Sequence, residues 1–445
     1  MLSKILGKLL KQYFKVISKI LTEVQKQFFK TRLYLEKLSY LNDKNPSLDK
    51  VRLSDNKPLT DDEFAKIEKI CDIFSSLSES QTKNVAPPDG GLFWHVADKT
   101  TWCFDLHTRK NRSEIEHSFL FNNRFRDFAT IAYDVDAMTP HPDFWIRRYI
   151  RLQNAIPKKW RVKMPARFGE IGWKVNGFPV NRLTSINQER LSAFYLSGVI
   201  PYLENQFYPR IMEIGAGGGE LGYTLCKALP SCTWYDCDLL GSLFQSAIHL
   251  LVMLPKKKHL IYVGDLPLSA TVDEKYIIRS AAEASRLTDA VVSIPNFLIQ
   301  DFVGHLQLHF AYNTYSFAEM PRVAVEEYAD VLGSFLKNEG VLFDQNGYFP
   351  EECGHNVVDI LAQHFQHQSW SANYPDIEQA YVKYILNGAI RVWSNNSVTN
   401  NLHVGMRSFR TDRIVESMLN HDDVVDIKFS HEMWGRIREI FPECV

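Results

Sequence analysis

The chain has 445 residues, with 51 Lys and Arg against 52 Asp and Glu, a net charge of −1 and a pI near 6.9. That balance gives no global attraction to nucleic acid, and 45% hydrophobic with 23% charged residues excludes wholesale disorder or a fibrous repeat. The length exceeds one typical core, the seven cysteines form no CxxC pair, no apolar run reaches a membrane span and no secretory signal is recognisable; a multi-segment cytoplasmic protein is expected.

Over residues 2–30, Leu2, Ile5, Leu9, Phe14, Ile17, Ile20, Leu21, Val24 and Phe28 recur mostly every third or fourth position. Lys4, Lys8, Lys11, Lys15, Lys19, Lys26 and Lys30 take the other faces, so residues 1–45 are expected to form an amphipathic basic helix. Residues 1–40 carry nine Lys and Arg against two Glu, a net +7 that suits peripheral contact with the inner, anionic face of a membrane. The alternative is that its apolar face packs on its own domain or on a second copy, giving a homo-oligomer. Between Leu38 and Asp62 the composition turns to Asn, Asp, Ser and Pro, which is linker chemistry. Residues 46–183 then read as an accessory or substrate region, irregular and aromatic, with no period from which to read a fold. Its Phe93, Trp94, Trp102, Trp145, Trp160 and Trp173 are of a type that stacks on sugar rings, although most such residues serve a core.

The remaining segment, 184–445, opens with a helix expected from Thr184 to Leu203, followed by a short apolar strand, Arg210 to Ile214. Gly215, Gly217, Gly218 and Gly219 begin where that strand ends, and a helix is expected over Leu221–Leu229. A helix N-terminus behind a glycine turn suits a carboxylate or a phosphate, so this unit alone names no ligand. Two acids narrow the choice. Glu213 lies two residues before Gly215, and a second strand, Thr233 to Cys237, leads into Asp238, with Asp236 as its competitor. An acid at that place can hold ribose hydroxyls. Gly217, Gly219 and Gly222 also satisfy GxGxxG, but in dinucleotide folds the first glycine closes the strand directly, and a count from Gly215 puts Glu220 at the third glycine.

The arrangement Glu213, Gly215, Gly217, Gly219 resembles motif I of class I S-adenosylmethionine (SAM)-dependent methyltransferases. The resemblance implies a Rossmann-like α/β fold, a mostly parallel seven-stranded sheet with helices on both faces, and SAM as cofactor. It also implies that Glu213 lies near the methionine amino group and Asp238 on the ribose. Residues 165–350, with GEIGWKVNG at 169–177 and LHFAYNTYSFAEMP at 308–321, are further similar to the sugar O-methyltransferase family of surface-polysaccharide loci. Asn313, Ser316, Glu319 and Met320 match its NxxSxxEM signature, which implies a sugar or glycan acceptor. A small-molecule or lipid O-methyltransferase and a noncatalytic scaffold remain the alternatives.

Ser316 and Glu319 also fit a capping box, but Pro321 would then stand at the fifth helical position; a helix starting at Pro321 is expected instead. Glu319 thereby falls at the carboxyl end of a strand, where ligands of open α/β sheets bind. The base candidates for taking the acceptor proton are Glu319, Asp344 and His309, with His309 more simply a packed strand residue. Asn313 and Ser316 are candidate acceptor contacts. A divalent metal on Asp344, Asn346 and Glu319 is the less favoured alternative, and Asp265 reads as a turn acid. Towards the C-terminus, YVKYIL and AIRVW are expected as antiparallel edge strands, followed by a helix from Ser430 to Phe441.

Overall fold

Thr60 and Glu63 cap each other's backbone: the Thr60 hydroxyl accepts from the Glu63 N–H at 3.2 Å, and Glu63 Oε2 accepts from the Thr60 N–H at 2.8 Å. This capping box starts α1 (Asp61–Asn84), a helix within the region whose sequence showed no clear period. It belongs to a computed structural model that describes residues 51–52, 58–84, 112, 115, 149, 152–153, 156–161, 171–175, 178–180, 182–314, 316–337, 340–346, 356–365, 367–372 and 390–394. The helices expected over 2–30 and 430–441, the segment YVKYIL, and Phe93, Trp94, Trp102 and Trp145 lie outside these residues.

Strand β1 (Val51–Arg52) pairs antiparallel with β2 (Ile171–Val175), which pairs with β3 (Phe178–Val180) in a small three-stranded sheet. The helix expected from Thr184 to Leu203 is two helices, α2 (Arg182–Leu196) and α3 (Val199–Glu204), separated where Gly198 adopts φ +82°. From there strands and helices alternate: β4 (Arg210–Ile214), α4 (Glu220–Ala228), β5 (Thr233–Asp238), α5 (Leu240–Met253) and β6 (Lys258–Tyr262). Next come β7 (Ile277–Ile278), α6 (Ala281–Ala284), β8 (Ala290–Pro295), β9 (Phe310–Thr314), α7 (Ser316–Glu319), α8 (Arg322–Phe335) and β10 (Val341–Gln345). The described chain closes with α9 (Val357–His364), β11 (His367–Ala372) and β12 (Ile390–Ser394).

The large sheet has the order β11-β12-β10-β9-β4-β5-β8-β6-β7. Its strands run parallel from β7 to β10, and β12 is antiparallel to both β10 and β11. The expected mostly parallel sheet is present, carried to nine strands among the described residues by β6 and β7 outside β8. AIRVW supplies the reversed strand β12, whereas β11 comes from a stretch without a distinct sequence signal.

Alternate residues of each strand face opposite helical layers. Phe194 of α2 packs on Phe310, Tyr312 and Phe343, with ring centroids 5.0, 5.3 and 4.5 Å away, which lays α2 across β9 and β10. Gly222 lets α4 lie close on β5, because a Cβ there would stand 2.6 Å from the Trp234 ring. α1 shares a buried cluster with α5, in which Phe74 meets Phe244 edge-on at 5.3 Å. The opposite face carries α8 and α9, whose Val325, Leu332, Phe335, Ile360 and Leu361 close over Ile214, Ala311 and Leu342.

Candidate functional site

β4 is followed through α4 by β5 on one side, while β9, reached much later in the chain, lies on its other side. The crevice at the carboxyl end of β4 is therefore a topological switch point, where open α/β sheets bind ligands. The glycine turn fills that place. Gly215, Gly217 and Gly219 have φ of +77°, +58° and +74°, a region that L side chains rarely adopt, so local backbone geometry alone demands glycine at all three. They differ in what surrounds them. A Cβ on Gly215 would stand 2.3 Å from Ser316 Oγ, one on Gly219 would press on Ser246 and Leu250 of α5, and one on Gly217 would meet nothing within 4 Å. Gly217 is thus the point at which this backbone faces open space.

Asp238, at the end of β5, holds the turn from the other side. Its Oδ2 accepts from the Gly217 N–H at 2.9 Å and its Oδ1 from the Leu239 N–H at 2.7 Å. Burial pushes its carboxyl up to about 6, against the pull of these two N–H donors. Asp236 is separated from this position: it is fully buried, takes the Ser246 hydroxyl, and is held well above the carboxylate range by desolvation. Of the two acids, Asp238 is the one at the turn.

Glu213 pairs in register with Asp236 on β5 and Tyr312 on β9, so the three share the face covered by α2 and α4. Burial drives the Glu213 carboxyl well above its ordinary range, while the Tyr312 hydroxyl and the Arg190 charge work against that rise. By distance and angle neither Glu213 Oε2 nor the Tyr312 hydroxyl completes a hydrogen bond. An acceptor left without a donor at full burial carries a desolvation cost that a ligand's donor would relieve.

Asn313 ties the switch point together. Its Nδ2 donates to the Ile214 carbonyl at 2.9 Å and to Ser316 Oγ, and its Oδ1 accepts from the Phe317 N–H at 3.1 Å and from Asn346 Nδ2 at 2.9 Å. The Ser316 hydroxyl donates to the same Ile214 carbonyl at 3.2 Å. Asn313 is fully buried with its amide spent inside the protein, so it braces the turn instead of contacting an acceptor as expected from the signature. Met320 is buried in the apolar cluster that includes Phe317, Ala318 and Val325. The segment after β9 is one helical turn, α7, and not a loop; α8 then starts at Arg322 with Pro321 as its N-cap, one residue later than expected. Glu319 ends α7, on the carboxyl side of β9.

Two base candidates lie elsewhere. His309 precedes β9 at the amino end of the sheet, where its Nδ1 accepts from the Arg210 N–H at 3.0 Å, so it stands at the opposite end of the strand from the glycine turn. Burial lowers it to about 4, and a role as base at the turn is excluded by position. Asp344 pairs in register with Asn313, is fully buried, and accepts from Asn346 Nδ2. Asn346 Oδ1 in turn accepts from the Ala318 N–H at 3.1 Å. An amide oxygen spent in this way does not fit the divalent site on Asp344, Asn346 and Glu319, and among the described residues no group of three His, Cys, Asp or Glu side chains gathers as metal ligands. Trp160 is fully buried in the core and not free to stack on a sugar, and Trp173 lies in β2.

The buried polar side chains of α2, distributed all round the helix, were not expected from the sequence. Thr184, Ser185, Asn187, Gln188, Glu189, Arg190 and Ser192 are all buried, and Gln345 Nε2 of β10 donates to Glu189 Oε1 at 3.2 Å. A helix buried all round is ordinarily apolar, so the run TSINQER was the available signal.

The parallel sheet, the switch point at β4 and the reversed strand between β10 and β11 define a Rossmann-like class I methyltransferase fold. No family model matches the sequence, and no curated protein matches it. Among solved structures the chain is similar to precorrin-6y C5,15-methyltransferase from Geobacter metallireducens, at 11% identity over 45% of this chain and 86% of that one, with a TM-score of 0.27. It is similar to the mitomycin 7-O-methyltransferase MmcR, at 9% identity over 74% and 94% of the two chains, with a TM-score of 0.26. A LepI variant in complex with SAH and a substrate analogue gives 12% identity, 85% and 99% coverage, and a TM-score of 0.29. The order and direction of the strands carry the fold.

Proposed function

We propose that this protein is a SAM-dependent O-methyltransferase whose acceptor is a sugar hydroxyl of a surface polysaccharide or its precursor. The observation that carries the donor half is the turn itself: three glycines at positive φ, held by Asp238 at the carboxyl end of β5, with the Gly217 backbone facing open space. An acid at that strand end suits the two ribose hydroxyls, and the unpartnered Glu213 Oε2 suits an ammonium group. The donor supplies an electrophilic methyl group on a sulfonium. The chain's own part is to fix the acceptor oxygen in line with that methyl and to accept the hydroxyl proton as the new bond forms.

Glu319 is the proposed base, since it follows β9 at the carboxyl edge, whereas His309 sits at the far edge and Asp344 is buried. The sugar acceptor is supported by the match of Asn313, Ser316, Glu319 and Met320 to the family signature. Calorimetric titration with SAM and SAH tests the donor half, and incubation with labelled SAM and a panel of nucleotide sugars and glycan extracts tests the acceptor half. SAM and SAH are expected to bind, and a sugar in the panel to gain 14 Da. No binding at millimolar ligand removes the enzyme reading, while binding with methylation only of lipids or small aromatic alcohols removes the sugar. In the same assay Glu319→Gln is expected to keep SAM binding and lose most turnover, and turnover within a few-fold of the parent would remove Glu319 as base.

A further inference from the structure

No spacing among the seven cysteines pairs them in the sequence, yet the fold brings two of them together. Cys226 lies in the last turn of α4 and Cys232 immediately precedes β5, with Leu229, Pro230 and Ser231 connecting the two elements. Both side chains are buried in the same apolar cluster, and the Cys232 thiol donates to Cys226 Sγ at 3.5 Å. We propose that this dithiol is a peroxide-sensitive modification site, at which oxidation joins Cys226 to Cys232 in a reversible disulfide that braces the α4–β5 connection.

From 3.5 Å the two sulfurs need to close by about 1.5 Å to bond. Side-chain rotation and the turn around the exposed Pro230 can supply that. Cys232 is the sulfur that reacts first. Its hydrogen bond with Cys226 and the nearby Lys257 ammonium draw its thiol down against the effect of burial, whereas burial holds Cys226 well above the ordinary thiol range. Lys257 is fixed in place by the Pro230 carbonyl at 2.9 Å, the Cys232 carbonyl at 2.7 Å and Asp289 Oδ1 at 2.5 Å. The Cys232 thiolate attacks one peroxide oxygen, the O–O bond breaks, and the departing hydroxide takes up the thiol's proton as water, leaving a sulfenic acid on Cys232. The Cys226 sulfur then attacks the Cys232 sulfur, its proton and the remaining hydroxyl leave as a second water, and the disulfide is formed. Two thiols are thereby oxidised and one peroxide is reduced to two waters. In a reducing compartment such a link is transient and is reversed by thiols. The other described cysteines do not compete, since Cys71 lies in the cluster of α1 and α5 and Cys237 belongs to the cluster on the other face of the sheet.

The test is peroxide treatment of the full chain, folded and in urea, followed by alkylation of the remaining thiols, digestion with trypsin and mass mapping. Lys227 stands between the two cysteines, so trypsin opens the chain there and a disulfide alone keeps the two peptides together. The folded parent is expected to give this linked pair, lighter by two hydrogens than the reduced peptides combined, and dithiothreitol to release it. Cys226→Ser is expected to stop at a sulfenic acid on Cys232 that dimedone traps, and Cys232→Ser to leave Cys226 free for alkylation. The oxidised parent should unfold at a higher urea concentration than the reduced parent, because the link restricts the unfolded chain. Complete alkylation of both thiols after treatment of the folded parent overturns the proposal, as does a link that forms only in urea; both are read without any substitution. Cys237 shares a peptide with Cys232, so a link that persists in Cys232→Ser also overturns it. An unfolding midpoint no higher after oxidation removes the bracing role.

Discussion

Asp238 combines two properties that pull against each other. Its carboxylate accepts two backbone N–H bonds, yet burial raises it to about 6, so a substantial fraction is protonated in mildly acidic solution. Ribose hydroxyls donate to the ionised form, and bound ligand therefore lowers this pKa and favours proton release. The sign of the effect follows: SAH affinity is full above about pH 7 and weakens as pH falls through 6, by about tenfold at pH 5. For the ligand-free protein the same shift acts the opposite way, because a raised carboxyl contributes stability below the unfolded value of about 4 that is lost as pH rises through 6. Titrations with SAH at pH 5 and 7.5 measure the binding effect. Asp238→Asn should flatten the difference, and a parent protein with equal affinity at both pH values would contradict the account.

Among the elements, the junction of β4, β9 and β10 is held by polar bonds to a degree unusual for a sheet core. Asn313 alone completes four of them, joining the Ile214 carbonyl, Ser316, the Phe317 N–H and Asn346. Asn313→Ala leaves several of these partners buried and unpaired, and at about 1 kcal/mol per bond the expected loss is about 2–4 kcal/mol. Urea unfolding measures it, and a loss under about 0.5 kcal/mol would show that the junction repacks without Asn313. The glycine turn was legible in the sequence because positive φ is a local demand that few other residues meet. The role of Asn313 was not, since its signature names a set of residues and not the direction in which an amide points. His309 was misplaced for a related reason: an apolar run identifies a strand, but which end of the sheet a flanking residue occupies depends on the strands beside it. α1 carried a readable start, Thr60 to Glu63, and an i, i+3, i+4 series in Phe64, Ile67, Ile70, Phe74 and Leu77, obscured by the irregular sequence that follows.

Across the whole molecule, α1 closes over α5 and β6, so the region before residue 183 shares a core with the methyltransferase fold. No described helix is long and apolar enough to cross a membrane. Peripheral contact through residues 2–30 is a separate matter of charge: the net +7 over residues 1–40 predicts that the full chain pellets with vesicles containing anionic lipid and that a chain lacking residues 1–40 does not. Equal pelleting of the two would assign the apolar residues of this segment to protein packing instead. The sequence by itself determined the turn, the acids around it and the alternation of strands and helices, because each is written in neighbouring residues through backbone conformation and apolar period. Only the tertiary structure decided that β8 stands between β5 and β6, that Asp238 and not Asp236 meets the turn, and that Asn313 braces instead of binds. Strand pairing joins segments far apart in the chain, and the direction of a buried polar side chain is set by the partners that such pairing brings to it.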